Sequence, residues 1–275
     1  MERRTGVHKK KKEQMSPLAV FFVLLALVVL AVGGWFIYQR FFAKKEGFSP
    51  DDFAKNEEGR LLYTGKDKNV QARFGIDVSE FQGLIDWERV KASGVEFVFV
   101  RAGYRGYANG KLKEDGMIRP NVTGARLAGL DVGVYFYSQA ISAAEAVEEA
   151  EFLLKTIDGL DVNLPLAIDI ERSEAENART NHLTGEDWTV IAAAFSDRIR
   201  EAGRIPMVYG NREAFETQLV RSSFPEAKIW FAYYSFPLKK RTVFDIWQYD
   251  QHGHVDGIEP EVDLDLWLYD LSQDK

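Results

Sequence analysis

The sequence predicts an α/β protein: a TIM-like (β/α) barrel with five βα units followed by three strands, preceded by one N-terminal transmembrane helix. Three observations carry that expectation. From Phe74 onward, apolar β-branched runs alternate with amphipathic stretches, which is the pattern of a parallel sheet covered by helices. The strand-like runs number eight, enough to close a small barrel. Ahead of them, Leu18–Tyr38 reads LAVFFVLLALVVLAVGGWFIY, 21 residues without a charge.

At ~1.5 Å per residue such a helix covers the roughly 30 Å hydrocarbon core of a bilayer. Arg3, Arg4 and Lys9–Lys12 precede it, and Arg40, Lys44 and Lys45 follow. The denser basic cluster comes first, so residues 1–17 are expected as a cytoplasmic tail, 18–38 as a single-pass anchor, and the rest outside. Trp35 and Tyr38 fall where amphipathic rings favour the outer interface. The competing reading is a cleaved signal, but the apolar run is long and no small-x-small site follows Gly33–Gly34. Residues 39–70 are mixed and polar, interrupted by Gly47, Pro50, Gly59 and Gly65, and read as a stalk with a short helix near Asp51–Glu58. The barrel domain is then 71–275.

Its expected strands are Phe74–Val78, Glu96–Ala102, Val132–Ser138, Leu164–Glu171, Ile205–Tyr209, Lys228–Tyr233, Phe244–Tyr249 and Val262–Leu266. Helices fit after the first five only. Asp86 caps the first, which runs to about Ser93, and Pro120–Gly129 holds the second. Ser142 with Glu145 forms a capping-box pattern for the third. Thr184 with Asp187 opens the fourth, which Gly203 stops, and the fifth runs from near Asn211 to before Pro225. The gaps between the last three strands are too short or too polar for a packed helix. A doubly wound open sheet is the alternative, but no Gly-rich phosphate loop follows the first strand.

Composition narrows the chemistry. The 275 residues contain no Cys, which excludes disulfide frameworks, thiolate metal sites and cysteine nucleophiles. Residues 1–46 hold nine Lys/Arg against three acids, which leaves the rest of the chain at a net −13, the wrong sign for gripping nucleic acid. His182, His252 and His254 lack a helical metal spacing, so neither a metal nor a cofactor is expected. Asn121-Val-Thr123 matches a glycosylation sequon and reads as accidental, while Trp87 and Phe152–Leu154 read as helix packing.

In barrels of this kind the working residues lie at the carboxyl ends of strands. Those ends supply Asp77, Arg101, Tyr104, Tyr135, Tyr137, Asp169, Glu171, Tyr209, Tyr233, Trp247, Gln248 and Asp263. Four carboxylates and a set of aromatics at one mouth is the composition of a carbohydrate cleft, with flat rings for sugar faces and acids for the acetal bond. Asp169 and Glu171 are two apart on an expected strand and should leave the same face. Burial and like-charge crowding would raise a carboxyl pKa there and let one group stay protonated as a donor. The plainer alternative is that either acid salt-bridges Arg101 or Arg172.

The stretches GIDVSEFQG with IDW after it, VRAGY, GVYFY, LAIDIE, IWQY and VDLDLW, in this order from about Phe74 to Tyr269, resemble glycoside hydrolase family 25, the Chalaropsis-type lysozymes or N-acetylmuramidases. The resemblance implies a barrel with fewer than eight helices, no cofactor, and cleavage of the β-1,4 bond between N-acetylmuramic acid and N-acetylglucosamine in peptidoglycan glycan strands. It implies Glu171 as proton donor, Asp169 assisting, and Asp77 and Asp263 holding the sugar and tuning the pair. Tyr104, Tyr135, Tyr137, Tyr209, Tyr233 and Trp247 are the expected sugar contacts. Two positions depart from the family pattern: Phe136 stands where a His is common, and Asp265 where the last strand often has Asn. Two other functions stay open on sequence: a non-catalytic peptidoglycan-binding scaffold, and a hydrolase of another N-acetylhexosamine polymer.

Overall fold

The computed structural model describes residues 27–30, 32–34, 47–173 and 175–270. Most of the expected membrane span and the whole basic tail lie outside the described residues. Those of the span that are described are helical. Among the described residues no helix is long and apolar enough to cross a membrane.

The body runs from Gly47 and is built of eleven strands and four α-helices. A small hairpin of β1 (Phe53–Lys55) and β2 (Leu61–Tyr63) comes first. The barrel strands are β3 (Val70–Val78), β4 (Phe97–Arg105), β6 (Asp131–Tyr137), β7 (Leu166–Asp169), β8 (Pro206–Asn211), β9 (Lys228–Ala232), β10 (Ile246–Gly253) and β11 (Val262–Asp270). A short β5 (Leu112–Glu114) folds back antiparallel on the extended end of β4. Strands β3 to β10 of the barrel run parallel, and β11 closes it antiparallel to both β10 and β3. The eight expected strands and their closure are therefore present, with one reversed.

The helices are α1 (Trp87–Ala92), α2 (Ile118–Leu127), α3 (Ala143–Thr156) and α4 (Gly185–Glu201). Asp86, Ser142 and Thr184 cap as expected, each accepting a backbone N–H three residues on. The expected fifth helix is only a π-helical turn, Ala214–Gln218, followed by a 3₁₀ turn, Arg221–Ser223. Asn121 is buried in α2, out of reach of a glycan transferase.

Alternation along the strands sorts side chains to two faces. Outward residues such as Ile76, Val98, Val134, Ile168 and Val208 join the main core with the helices. Inward residues form a separate cluster, with Phe97, Phe99, Met207, Trp230 and Trp267 plugging the barrel. Trp230 sits at its centre, its ring 4.7 Å from Phe99 and 4.9 Å from Tyr209. Gly75 and Gly133 leave the space that the rings of Phe97 and Phe99 fill.

Of the expected stalk, residues 39–46 lie outside the described residues and the rest is not a linker. From Gly47 the chain belongs to the body, and Phe48 exchanges backbone hydrogen bonds with Thr242 at 2.7 and 3.0 Å. Nor is there a helix over 51–58: after a 3₁₀ turn at Pro50–Asp52, the chain enters β1. Asn56 Oδ1 then accepts the N–H groups of Glu58 and Arg60, and Gly59 takes a φ of +80°, closing a tight turn. The hairpin exists because β9, β10 and β11 carry no helices and their outward face needs a cover. Phe53 supplies it, 5.1 Å from the Trp247 ring and 6.2 Å from Phe244. Truncating this buried ring, Phe53→Ala, should cost about 3–5 kcal/mol in denaturant unfolding. A loss under ~1 kcal/mol would show that the hairpin lies outside the cooperative unit.

Candidate active site

Asp77 is the penultimate residue of β3 and Asp169 the last of β7, both pointing inward and both buried. Strand β7 ends there, two residues short of the expected limit, so Glu171 stands on the following loop rather than on the strand. It still lines the same cleft, half-buried, while Asp169 lies deeper. Asp263 corrects the sequence reading in an instructive way. It lies near the amino end of its strand, not the carboxyl end, and reaches the mouth only because β11 runs antiparallel. The register sets it directly opposite Asp77.

These four acids line a cleft of about 690 Å³. Tyr135 and Tyr137 on β6 and Tyr104 on β4 are on its walls, as expected for sugar contacts. Tyr104 is aimed there by a bulge between Arg101 and Gly103, which breaks the alternation of β4. Among the described residues Arg101 forms no ion pair with Asp169 or Glu171. Its Nε donates to Asp115 at 2.7 Å and its NH2 to Glu80 at 3.1 Å. Its guanidinium lies 4.9 Å from the Phe81 ring and 5.3 Å from that of Tyr104, bracing one wall of the cleft.

Two expected contacts point elsewhere. Trp247 faces outward beneath the hairpin and donates its Nε1 proton to the Tyr233 carbonyl at 2.8 Å. Tyr233 likewise packs against Phe231 on the outer side. Their neighbours take the inward roles. Gln248 Nε2 donates to Asp77 Oδ2 at 2.6 Å, and Gln248 Oε1 accepts from both Tyr209 and Tyr234 at 2.8 Å. Gln248 and Tyr234 were legible from parity, since Ile246 and Trp230 mark which residues of β10 and β9 face in. Phe136 is also outward, packed on Phe152, so the residue type at that position does not bear on the cleft.

The electrostatics favour protonated carboxyls. Burial first, then the charges of Glu171 and Asp77, hold the Asp169 pKa well above the usual carboxylate range, with Arg101 opposing. Burial raises that of Glu171 as well. Asp263 is pushed to about 9 by burial and by Asp77 and Glu171. Neither Asp169 nor Glu171 has an ion pair among the described residues, and Asp169 Oδ1 is buried without a donor there. Burial and the proximity of a second carboxyl therefore both disfavour the state in which Asp169 and Glu171 are ionised together. Among the described residues no three His, Cys, Asp or Glu side chains are arranged to hold a metal ion.

Residues 76–258, well over half of the chain, match the family described as glycosyl hydrolases family 25. The chain belongs to glycosyl hydrolase family 25. Among curated family relatives it is 29% identical over 192 residues to the autolytic lysozyme of Clostridium acetobutylicum, covering 70% of this chain and 54% of that one. The chain thus spans about half the length of that relative. Among solved structures, the modular autolysin LytC from Streptococcus pneumoniae, in complex with a synthetic peptidoglycan ligand, superposes with a TM-score of 0.65 at 26% identity. That match covers 78% of this chain and 50% of LytC. A family 25 glycosyl hydrolase from Bacillus anthracis shares the fold at a TM-score of 0.59 and 23% identity, over 74% of this chain and 91% of that one. The family match runs from the end of β3 through β10 and contains Asp77, Asp169 and Glu171, while Asp263 on β11 lies just beyond it.

Proposed function

We propose that the protein is a membrane-anchored peptidoglycan hydrolase that cleaves the β-1,4 bond between N-acetylmuramic acid and N-acetylglucosamine. The observation that carries this reading is the pair of buried Asp169 and half-buried Glu171 at the mouth of a family 25 barrel, with both pKa values raised and no neutralising ion pair among the described residues. Glu171, the more accessible of the two, gives its proton to the glycosidic oxygen as the bond from the anomeric carbon breaks. Asp169 orients or charge-stabilises the reacting group. Water then supplies hydroxyl to the anomeric carbon, and its proton restores Glu171. Tyr104, Tyr135 and Tyr137 offer ring faces to the sugars, and Asp77 and Asp263 hold the glycan from the opposite side of the cleft.

Digestion of purified peptidoglycan followed by muropeptide separation tests the activity. The expected products end in reducing N-acetylmuramic acid. Binding without cleavage would replace the hydrolase by a scaffold, and cleavage of chitin-type polymers alone would reassign the substrate.

The anchor rests on the charge-free run Leu18–Tyr38 and the basic residues before it. Protease added to intact cells should degrade the body and spare the amino-terminal tail. A protected body would reverse the topology, and a soluble mature form beginning after Gly34 would turn the anchor into a signal.

A further inference from the structure

We propose that Asp265 is a positioning residue for this cleft, holding Asp77 through one shared proton so that the two carboxyl groups work as a single monoanion. The catalytic consequence rests on the hydrolase reading above; the shared proton does not. Asp265 points into the barrel one step below Asp263, and its partner across the ladder is Gly75, which has no side chain. Asp77, the next inward residue of β3, is its diagonal neighbour, so the register sets the two buried carboxyl groups side by side in the barrel.

The donors around this pair are fully assigned. Asp265 is completely buried, and its Oδ1 accepts Trp230 Nε1 at 2.8 Å. No N–H or O–H group of the described residues reaches its Oδ2. Asp77 Oδ2 accepts from Gln248, whose orientation is fixed because its carbonyl already takes the Tyr209 and Tyr234 hydroxyls. Two ionised carboxylates meeting in this dry layer would repel with no donor between them. A proton on Asp77, donated to Asp265 Oδ2, removes the conflict and gives the deep carboxylate two donors, Trp230 and Asp77. Burial holds both carboxyl pKa values well above their usual range, in keeping with a proton retained between them.

The charge then sits one layer beneath the mouth, and Asp77 meets the substrate uncharged. The other titratable or charged groups around this pair are Asp263 on β11, Tyr249 on β10, Tyr209 on β8, Asp169 and Glu171 at the end of β7, Tyr135 on β6, Arg101 on β4 and Tyr234 after β9. None of them donates to Asp265 Oδ2.

The test is the pH dependence of thermal unfolding of the full-length chain in wild type, Asp265→Asn, Asp77→Asn and the double variant. An Asn amide keeps an acceptor and substitutes an N–H for the shared proton. A carboxyl whose folded pKa is raised contributes stability below its unfolded pKa and loses it as pH rises through the folded value. The wild-type Tm should therefore fall from mildly acid to alkaline pH. Either single variant should flatten that fall by the equivalent of about one proton. The double variant should flatten it no further, because both singles remove the same proton. Asp169, Glu171 and Asp263 titrate in all four proteins; a change at Asp77 moves their pKa values along the pH axis, but each still contributes one proton, so the variants are compared by the number of protons in the slope. An unchanged slope in Asp265→Asn, or additive flattening in the double variant, overturns the proposal.

Peptidoglycan hydrolysis gives the second readout. In Asp265→Asn the negative charge moves onto Asp77, nearer Glu171, so the alkaline limb of the pH–rate profile should move to higher pH. A limb that stays in place would make Asp265 merely structural. If even the wild type cleaves nothing, the hydrolase reading fails, and the thermal cycle alone decides the shared proton.

Discussion

Replacing Glu171 by Gln will lower peptidoglycan hydrolysis by at least about two orders of magnitude, because general acid catalysis typically contributes ~10²–10⁴ in rate. The amide keeps the shape and the hydrogen-bonding atoms but has no acidic proton for the leaving oxygen. Its Tm should hardly move. Glu171 has no ion pair to lose among the described residues, and burial already raises its pKa, so a neutral side chain suits the site. Turnover near the wild-type level would pass the donor role to Asp169.

The change Asp169→Asn should depress the rate constant about as severely and also move the pH profile. Asp169 and Glu171 repel each other, so removing one charge relieves the other. The sign follows from that relief: the Glu171 pKa falls, its proton is lost at lower pH, and the alkaline limb shifts downward. This is opposite to the shift expected for Asp265→Asn. An upward or unmoved limb with a severe rate loss would show that Asp169 acts on the sugar without sensing Glu171.

Much of this was legible before any coordinates. The eight strands, the caps at Asp86, Ser142 and Thr184, and the neighbouring positions of first and last strands follow from local patterns and barrel closure. The errors have a common origin in direction. Trp247 and Tyr233 are aromatic and stand near strand ends, but alternation sends them outward and gives Gln248 and Tyr234 the inward roles. The reversal of β11 leaves no local mark, since VDLDLW alternates equally well either way. The hairpin was hidden because Phe48, Phe53, Leu61 and Tyr63 are too widely spaced among polar residues to show a period. Only the bare outer wall of β9–β11 explains why they are buried.

The reversed last strand also governs when the protein can first work. Asp263 and Asp265 reach the cleft only after β11 has inserted between β10 and β3, joining the latest part of the barrel to its earliest. Until then the nascent chain has two open sheet edges and lacks both Asp263 and Asp265. Contacts this distant in sequence form slowly, since a long loop must close before they repay its entropy. A chain that has not yet released β11 therefore carries no assembled cleft, and the site is completed by the docking of that one strand.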